Sequence, residues 1–283
     1  MSSQALYRQV YQSILPAVRQ ERECQAITQC LLAHYLQLDP VTIVLDDPVT
    51  LSYAQKRRLR VAIQRLKKQE PIQYILGEAS FLGRSFQVTP AVLIPRPETE
   101  SLVQYIIDEE LPSGTRVLDI GTGSGCIAIT LQRELCDATV HALEIAPEAL
   151  HIAQINAQQL GATIHWIQAD VLHEPLPNQK WDIIVSNPPY VRITEKVQMQ
   201  RCILAYEPAK ALFVPDECPL IFYERIIALA AHHLTPAGKL YLEINEALGV
   251  EVANLLVRAN FQEVSIKQDL NGKDRWTVST LTT

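Results

Sequence analysis

Several patterns are missing from this chain of 283 residues, and each absence removes a class of function. No stretch approaches the roughly 18 consecutive apolar residues of a membrane span, so no membrane partner is expected. The opening MSSQALYRQVYQSILPAV is amphipathic and helical in pattern, without the apolar block and cleavage site of a signal peptide, which predicts a cytoplasmic protein. The six cysteines, Cys24, Cys30, Cys126, Cys136, Cys202 and Cys218, include no C-x-x-C pair. Neither a disulfide framework nor a zinc site is expected from them; reduced, mostly buried thiols are. The seven histidines show no metal-ligand spacing, and His232 and His233, adjacent in an expected helix, point in different directions. The expectation is therefore no metal. Internal repeats and low-complexity tracts are absent as well.

What is present is ordinary in bulk and uneven in detail. The hydrophobic fraction of 48% and charged fraction of 20% suit a globular enzyme, and the length allows one large core beside a smaller one. The net charge of −6 divides into +4 for residues 1–70 and −10 for the rest, which suggests two units with different surfaces. The acidic larger part argues against a protein that coats nucleic acid, and no direct DNA partner is expected. The protein is expected to be a monomer.

Residues 1–70 read as helical. The segment SYAQKRRLRVAIQRLKKQ puts Leu59, Ala62, Ile63 and Leu66 on one stripe and surrounds it with Lys56, Arg57, Arg58, Arg60, Arg65, Lys67 and Lys68. That basic face over 54–69 is either a docking surface or the solvated side of an amphipathic helix. Next, Phe81 and Phe86 flank a turn at Gly83 and predict a β-hairpin. A helix is expected to begin near Glu98, after Pro95 and Pro97. From Arg116 onward, apolar runs alternate with helical spacing: RVLDIG, TVHALEI, TIHWIQAD, WDIIVSN and GKLYLEIN. Such alternation predicts a parallel sheet covered on both faces. Two last runs, FQEVSIKQD and DRWTVST, flank Asn271-Gly272 and must pair antiparallel.

The run VLDIGTGSGCIAI passes from a strand through Gly121-Thr122-Gly123-Ser124-Gly125 into a helix. Glycines at such a turn let the backbone approach a ligand closely. A dinucleotide site wants G-x-G-x-x-G, but here the third glycine comes one residue early. Asp119 is a poor neighbour for a pyrophosphate and a good one for the cationic centre of S-adenosylmethionine, so the spacing favours that methyl donor. Glu144, ending the next strand, is placed to accept both hydroxyls of a ribose. Asp170, ending the third, can accept from an adenine amino group while the Val171 N–H donates to the ring. Either acid could instead cap a helix. Three acids at successive carboxyl edges nonetheless share the edge where ligands bind in such sheets.

The fourth run stops at Asn187-Pro188-Pro189-Tyr190, which cannot continue a central strand because proline has no N–H. Asn-Pro also starts ordinary turns. The chemical reading is a clamp for a planar –NH2 group. The Asn187 side-chain oxygen accepts one of its hydrogens and the Pro188 carbonyl the other. Pro189 holds residue 188 extended, and Tyr190 offers an aromatic face to the flat group.

With DIGTGSG upstream, NPPY after an apolar strand resembles the amino-group methyltransferases of the Rossmann-like class I fold. More closely, PIQYILGEASFLGRSFQV, VLIPRPETE, IVSNPPYV, EPAKAL, FYERII and DLNGKDRW are together similar to the bacterial peptide chain release factor glutamine methyltransferases (PrmC/HemK family). The resemblance covers nearly the whole chain. It implies an α/β fold with a mostly parallel seven-stranded sheet and an antiparallel C-terminal strand, plus a small all-helical N-terminal domain joined by a β-hairpin. The implied boundaries are 1–72, 73–95 and 96–283. The implied activity is methylation, by S-adenosylmethionine, of the side-chain amide nitrogen of the glutamine in the Gly-Gly-Gln motif of class I release factors. Asn187, Pro188 and Tyr190 are then the catalytic positions, and Asn187 through Tyr190 also bind substrate. Asp119, the loop 121–125, Glu144, Asp170, Val171 and Asn187 hold the donor. A glutamine of a ribosomal protein, or a DNA adenine, would suit the same clamp. Two departures stand out: FVPDECPL, Phe213 to Leu220, replaces a glycine-rich stretch of a peripheral loop, and Asn245 stands where the family has glycine.

Overall fold

In the computed structural model, residues 1–18, 20–269 and 271–282 are described, and the chain forms two compact units. Residues 1–78 with 200–206 make one; residues 79–199 with 207–283 make the other.

The first unit is helical. Its elements are α1 (Ser3–Val18), α2 (Glu21–Leu36), α3 (Pro40–Leu45), α4 (Tyr53–Lys67) and α5 (Ile72–Leu76). Leu6, Val10 and Ile14, spaced by one helical turn, pack with Ile27 and Leu31 of α2 and with Leu59, Ala62 and Leu66 of α4. A capping box starts α4: the Ser52 hydroxyl accepts from the Gln55 N–H, and the Gln55 side chain accepts from the Ser52 N–H. Lys56, Arg57, Arg58 and Arg60 are exposed, as the stripe predicts, but Arg65 is not a free surface cation. Its guanidinium forks onto both oxygens of Glu70 at 2.8 and 2.6 Å and donates to the Tyr74 and Ile75 carbonyls. It fastens the end of α4 to the following turn.

The second unit opens with a two-stranded sheet of β1 (Glu78–Phe81, its first residue counted with the first unit) and β2 (Arg84–Gln87), then α6 (Pro97–Ile107). The alternating part follows: β3 (Arg116–Ile120), α7 (Cys126–Glu134), β4 (Thr139–Glu144), α8 (Pro147–Leu160), β5 (Ile164–Gln168) and β6 (Trp181–Ser186). Then come β7 (Val191–Arg192), α9 (Arg201–Tyr206, counted with the first unit), β8 (Phe213–Val214) and α10 (Ile221–His233). The chain ends with β9 (Leu234–Glu243), α11 (Gly249–Arg258), β10 (Phe261–Gln268) and β11 (Asp274–Leu281).

The large sheet has seven strands in the order β10-β11-β9-β6-β3-β4-β5. β11 runs antiparallel to both neighbours, while β9, β6, β3, β4 and β5 are mutually parallel, as expected from the sequence. Successive residues face opposite cores. Val117, Ile183 and Val185 pack with α6 and α7, whereas Leu118, Ile184 and Leu240 pack with α10 and α11. Burial on both faces explains why these strands read as continuous apolar runs. From β3 the order runs outward to β5 on one side and to β6 and β9 on the other. The crevice at that reversal is where such sheets bind ligands.

The cysteines correct one expectation. All six are free, but only Cys24 and Cys126 are buried; Cys30, Cys136 and Cys218 are exposed and Cys202 is half-buried. Cys30 lies on the outer side of α2 and Cys136 and Cys218 in loops, away from all three apolar cores. Leu270, within DLNGKDRW, and Arg19, counted in the basic balance, lie outside the described residues. Among the described residues no helix is long and apolar enough to cross a membrane, and no cluster of three His, Cys, Asp or Glu could hold a metal.

Candidate functional site

The carboxyl edge of the sheet brings the strand-end residues together by register alone. Ile120 lies beside Ser186 of β6, and Ser186 beside Leu242 of β9. One step further along each strand stand Gly121, Asn187 and Glu243. A cavity of about 650 Å³ opens there. Gly121, Thr122, Gly123, Ser124, Glu144, Asp170, Val171, Asn187, Pro188 and Pro189 all line it.

The glycine loop is held mostly by its immediate surroundings. The Gly121 and Thr122 N–H groups both donate to the Leu143 carbonyl, at 2.8 and 3.0 Å. Glu144 accepts from the Gly123 N–H at 3.0 Å and the Ala146 N–H at 2.9 Å, so its carboxylate braces the loop at the cavity wall. Gly121 and Gly123 have positive φ, and a Cβ at either would enter open space. Gly125 differs: a Cβ there would meet Ile129 Cδ1 at 2.8 Å and Ala153 Cβ at 3.2 Å, so it stands behind the loop where α7 approaches α8.

Asp119, expected beside the cationic centre of a donor, does not line the cavity. It is fully buried beneath the loop, where Oδ2 accepts from the Thr122 hydroxyl at 2.6 Å and the Ala128 N–H at 3.2 Å. Oδ1 has no hydrogen-bond partner. Burial pushes the Asp119 carboxyl up to about 7, against the two hydrogen bonds that favour its charged form. Asp170 behaves in part as a cap: Oδ1 accepts from the Leu172 N–H at 2.9 Å, and Oδ2 lies 2.9 Å from His173 Nδ1. It still reaches the cavity wall beside Val171. Burial also pushes the Cys126 thiol up to about 12, so this cavity-lining cysteine offers no thiolate near neutral pH.

On the opposite wall, Asn187 donates from Nδ2 to the Thr99 hydroxyl oxygen at 3.2 Å. Thr99 in turn donates to Glu243 Oε2 at 2.6 Å. Tyr190, expected to offer its ring to an acceptor group, stands outside the cavity lining. Its hydroxyl donates to Glu243 Oε1 at 3.0 Å, which draws the ring into the apolar layer with α10. Its carbonyl accepts from Asn245 Nδ2 at 3.2 Å. Asn245 also reaches the Glu195 carboxylate at 3.1 Å and accepts from the Ala247 N–H. The departure from glycine therefore pins the chain just beyond Pro189.

The second departure is not peripheral. Phe213 and Val214 pair in parallel with Val191 and Arg192, and Phe213 lines the cavity under Lys196, whose Nζ is 4.3 Å from the ring centre. The buried Glu207, just before the cavity-lining Pro208, accepts from Arg96 at 2.6 Å and from the Ile94 N–H at 3.3 Å, tying the segment before α6 to the cavity rim.

The sequence patterns do not single out Thr99, Glu207 or Glu243 as site residues. Glu243 had a usable signal, an acid ending an apolar strand at the same edge as Glu144. Nothing in periodicity marks Thr99, which sits in the first turns of α6.

Comparison with known proteins gives the family. The chain is 46% identical over 272 residues to the release factor glutamine methyltransferase of Bacteroides thetaiotaomicron, covering 96% of each protein. The chain belongs to the release factor glutamine methyltransferase family. A second member, from Flavobacterium psychrophilum, is 43% identical over 95% of this chain and 96% of its own length. Residues 98–209 match the methyltransferase small domain, and residues 12–77 match the PrmC N-terminal domain. Among solved structures, a methyltransferase from Pyrococcus furiosus covers 82% of this chain and 100% of its own at a TM-score of 0.54 and 17% identity. The T. thermophilus 16S rRNA N2 G1207 methyltransferase, in complex with AdoMet and guanosine, covers 72% of this chain and 49% of its own at a TM-score of 0.52 and 20% identity. These two likenesses speak for the fold alone.

Proposed function

We propose that the protein transfers a methyl group from S-adenosylmethionine to the side-chain amide nitrogen of the glutamine in the Gly-Gly-Gln motif of class I release factors. The observation that carries this reading is the shared cavity. Its one wall is a glycine loop braced by a carboxylate, and its other wall ends in an asparagine whose NH2 end already donates to Thr99. Identity to the release factor glutamine methyltransferases over nearly the full chain supports the protein substrate.

The residues present fit the donor. Open space over Gly121 and Gly123 admits a ligand against the loop, Glu144 can accept from a ribose, and Leu143, Val171, Leu172 and Ile226 give an apolar bed for an adenine ring. When bound, the donor supplies an electrophilic methyl carbon on a sulfonium, suited to direct displacement without a covalent enzyme intermediate. Asp119 acts one layer down, shaping the loop through Thr122.

The task of the other wall is to make a poor nucleophile react. The lone pair of an amide nitrogen is delocalised into its carbonyl. Acceptors directed at its two hydrogens fix the group in the geometry that presents nitrogen to the methyl carbon. Asn187 Oδ1 supplies one acceptor and the Pro188 carbonyl the other, while Pro189 and the Asn245–Tyr190 contact stiffen the backbone that follows them. Catalysis is then positioning plus local electrostatics. Tyr190 serves by anchoring the segment through Glu243 rather than by stacking on substrate.

A glutamine side chain is too small to identify one protein, so recognition must spread over a second surface. The helical domain of residues 1–72 takes that role, with the hairpin segment 73–95 leading into the catalytic domain 96–283. The protein works as a cytoplasmic monomer, where release factors act. Lys56, Arg57, Arg58 and Arg60 support docking because they are exposed; Arg65 does not, since its reversal would break the Glu70 fork. Charge reversal at Arg57 and Arg58 should raise the apparent Michaelis constant for release factor, more so at low salt.

Incubation with labelled S-adenosylmethionine and, separately, release factor, ribosomal protein and DNA tests the reading. Label on the Gly-Gly-Gln glutamine is the expected result. Label only on a ribosomal glutamine or on adenine would overturn it.

A further inference from the structure

Glu243 is 2% exposed and 53 to 144 residues away in sequence from the hydroxyls that meet it. We propose that Glu243 is a positioning residue for methyl transfer, which through Thr99 sets the orientation of the Asn187 side-chain amide so that Oδ1 and not Nδ2 meets the substrate. The inference rests on the amide-methylation reading of the site.

The polarity of the chain of hydrogen bonds follows from what each group can do. An asparagine amide is nearly symmetric in shape, and its two ends differ only in that one donates and the other accepts. Turned the wrong way, Asn187 would present two N–H bonds to the two N–H bonds of the acceptor group, and the clamp would repel its substrate. Something must break the symmetry. An ionised carboxylate can only accept; burial raises the Glu243 carboxyl, while the hydrogen bonds from Thr99 and Tyr190 favour its charged form. Thr99, 2.6 Å from Glu243 Oε2, must therefore spend its one proton on Glu243. Its oxygen then has only lone pairs left for Asn187, and at 3.2 Å only the NH2 end can satisfy them. The far oxygen, Oδ1, is left for the acceptor group.

Glu243 has little freedom to act otherwise. Its second oxygen accepts from Tyr190 at 3.0 Å, and its backbone carbonyl accepts from the Tyr223 hydroxyl at 3.2 Å. Thr99 is itself 2% exposed, so water cannot readily substitute for either partner. The same carboxylate thus orients Asn187 through Thr99 and holds Tyr190, two of the four residues of the Asn-Pro-Pro-Tyr segment. A neutral amide at position 243 has the same shape but one donor end. It cannot accept from both hydroxyls at once.

The test uses full-length protein with intact release factor. Glu243→Gln should lower kcat by about tenfold or more, as expected for a lost orienting group. Donor affinity by calorimetry and the Michaelis constant for release factor should stay within about twofold of wild type. Thr99→Val should show the same split, and Thr99→Ser, which keeps the hydroxyl, should recover most of that loss. Because both residues act through one relay, Glu243→Gln added to Thr99→Val should cost less than about twofold more. Wild-type kcat in Glu243→Gln, or losses that multiply fully in the double variant, would overturn the inference while leaving amide methylation in place. If Glu243→Gln does not fold, the Thr99→Val and Thr99→Ser pair decides: equal kcat in the two overturns it. A wild-type protein that leaves release factor unmethylated overturns the functional reading and this inference with it.

Discussion

The two walls of the cavity are built in opposite ways. The glycine loop is assembled from near neighbours: Asp119 holds Thr122 three residues away, and Glu144 holds Gly123 across one βα unit. The Asn-Pro-Pro-Tyr segment is held by distant partners. Thr99 lies 88 residues before Asn187, and Glu243 and Asn245 lie 53 and 55 residues after Tyr190. The donor side is thus a local motif, carried by one strand-loop-helix unit and the end of the strand that follows it. The acceptor side exists only when β9 has docked beside β6 and α6 has packed against the sheet. Binding a common donor needs little more than the first; choosing and orienting an amide needs the second.

The comparison breaks most readily at Asn187. Asn187→Ala removes an acceptor for the substrate amide but leaves the loop and Glu144 intact. Turnover should fall on the order of a hundredfold or more, with donor affinity changed much less. Steady-state kinetics beside calorimetric titration measures both, and near-wild-type turnover would sink the clamp. Within the loop, Gly125→Ala should destabilise the protein by about 2 kcal/mol, because φ of 82° and the 2.8 Å approach to Ile129 both oppose a side chain. Gly123→Ala meets no neighbour and should unfold closer to wild type in denaturant, yet bind the donor worse, since its methyl enters the cavity.

Glu144→Ala should weaken donor binding about tenfold or more, given two charge-assisted hydrogen bonds to a ribose. Part of that loss should come through the freed Gly123 N–H, and unchanged affinity would remove Glu144 from the site. The smallest effect is a pH dependence beneath the loop. In the unfolded chain Asp119 releases its proton near 3.8, but in the fold it keeps it until about pH 7. The folded state therefore binds more protons across that window, and the contribution of Asp119 to stability is lost as pH rises through it. Denaturant unfolding between pH 6 and 7, the upper end of that window, should show a decline of about 1 kcal/mol that Asp119→Asn removes. A variant with the wild-type slope would place that titration elsewhere.

The same contrast governs what was legible beforehand. The strands of the parallel sheet and the glycine turn could be read from Val117 to Gly125 because burial on both faces and positive φ leave direct marks on residue type. Asn187 and its prolines were legible as an interrupted strand. Asp119 lies buried under the loop; spacing reports that an acid precedes the loop but not which way its side chain turns. An aromatic beside a clamp suggests a stacking role for Tyr190. The partner that draws it away, Glu243, is supplied by another strand.

By itself, the sequence determined a doubly covered parallel sheet, a helical N-terminal segment with a basic face, a glycine loop and a strand ended by Asn-Pro-Pro-Tyr. Each of these follows from hydrophobic periodicity or from backbone restrictions that act within a few residues. Only the tertiary structure decided that Arg65 is a structural fork rather than a docking cation, that Asp119 lies under the loop, and that Glu243 reaches Asn187 through Thr99. Those outcomes depend on which buried polar groups find one another when strands pair. A hydrogen bond in a water-excluded site is set by the position of its partner in space, and the chain order carries no direct record of that position.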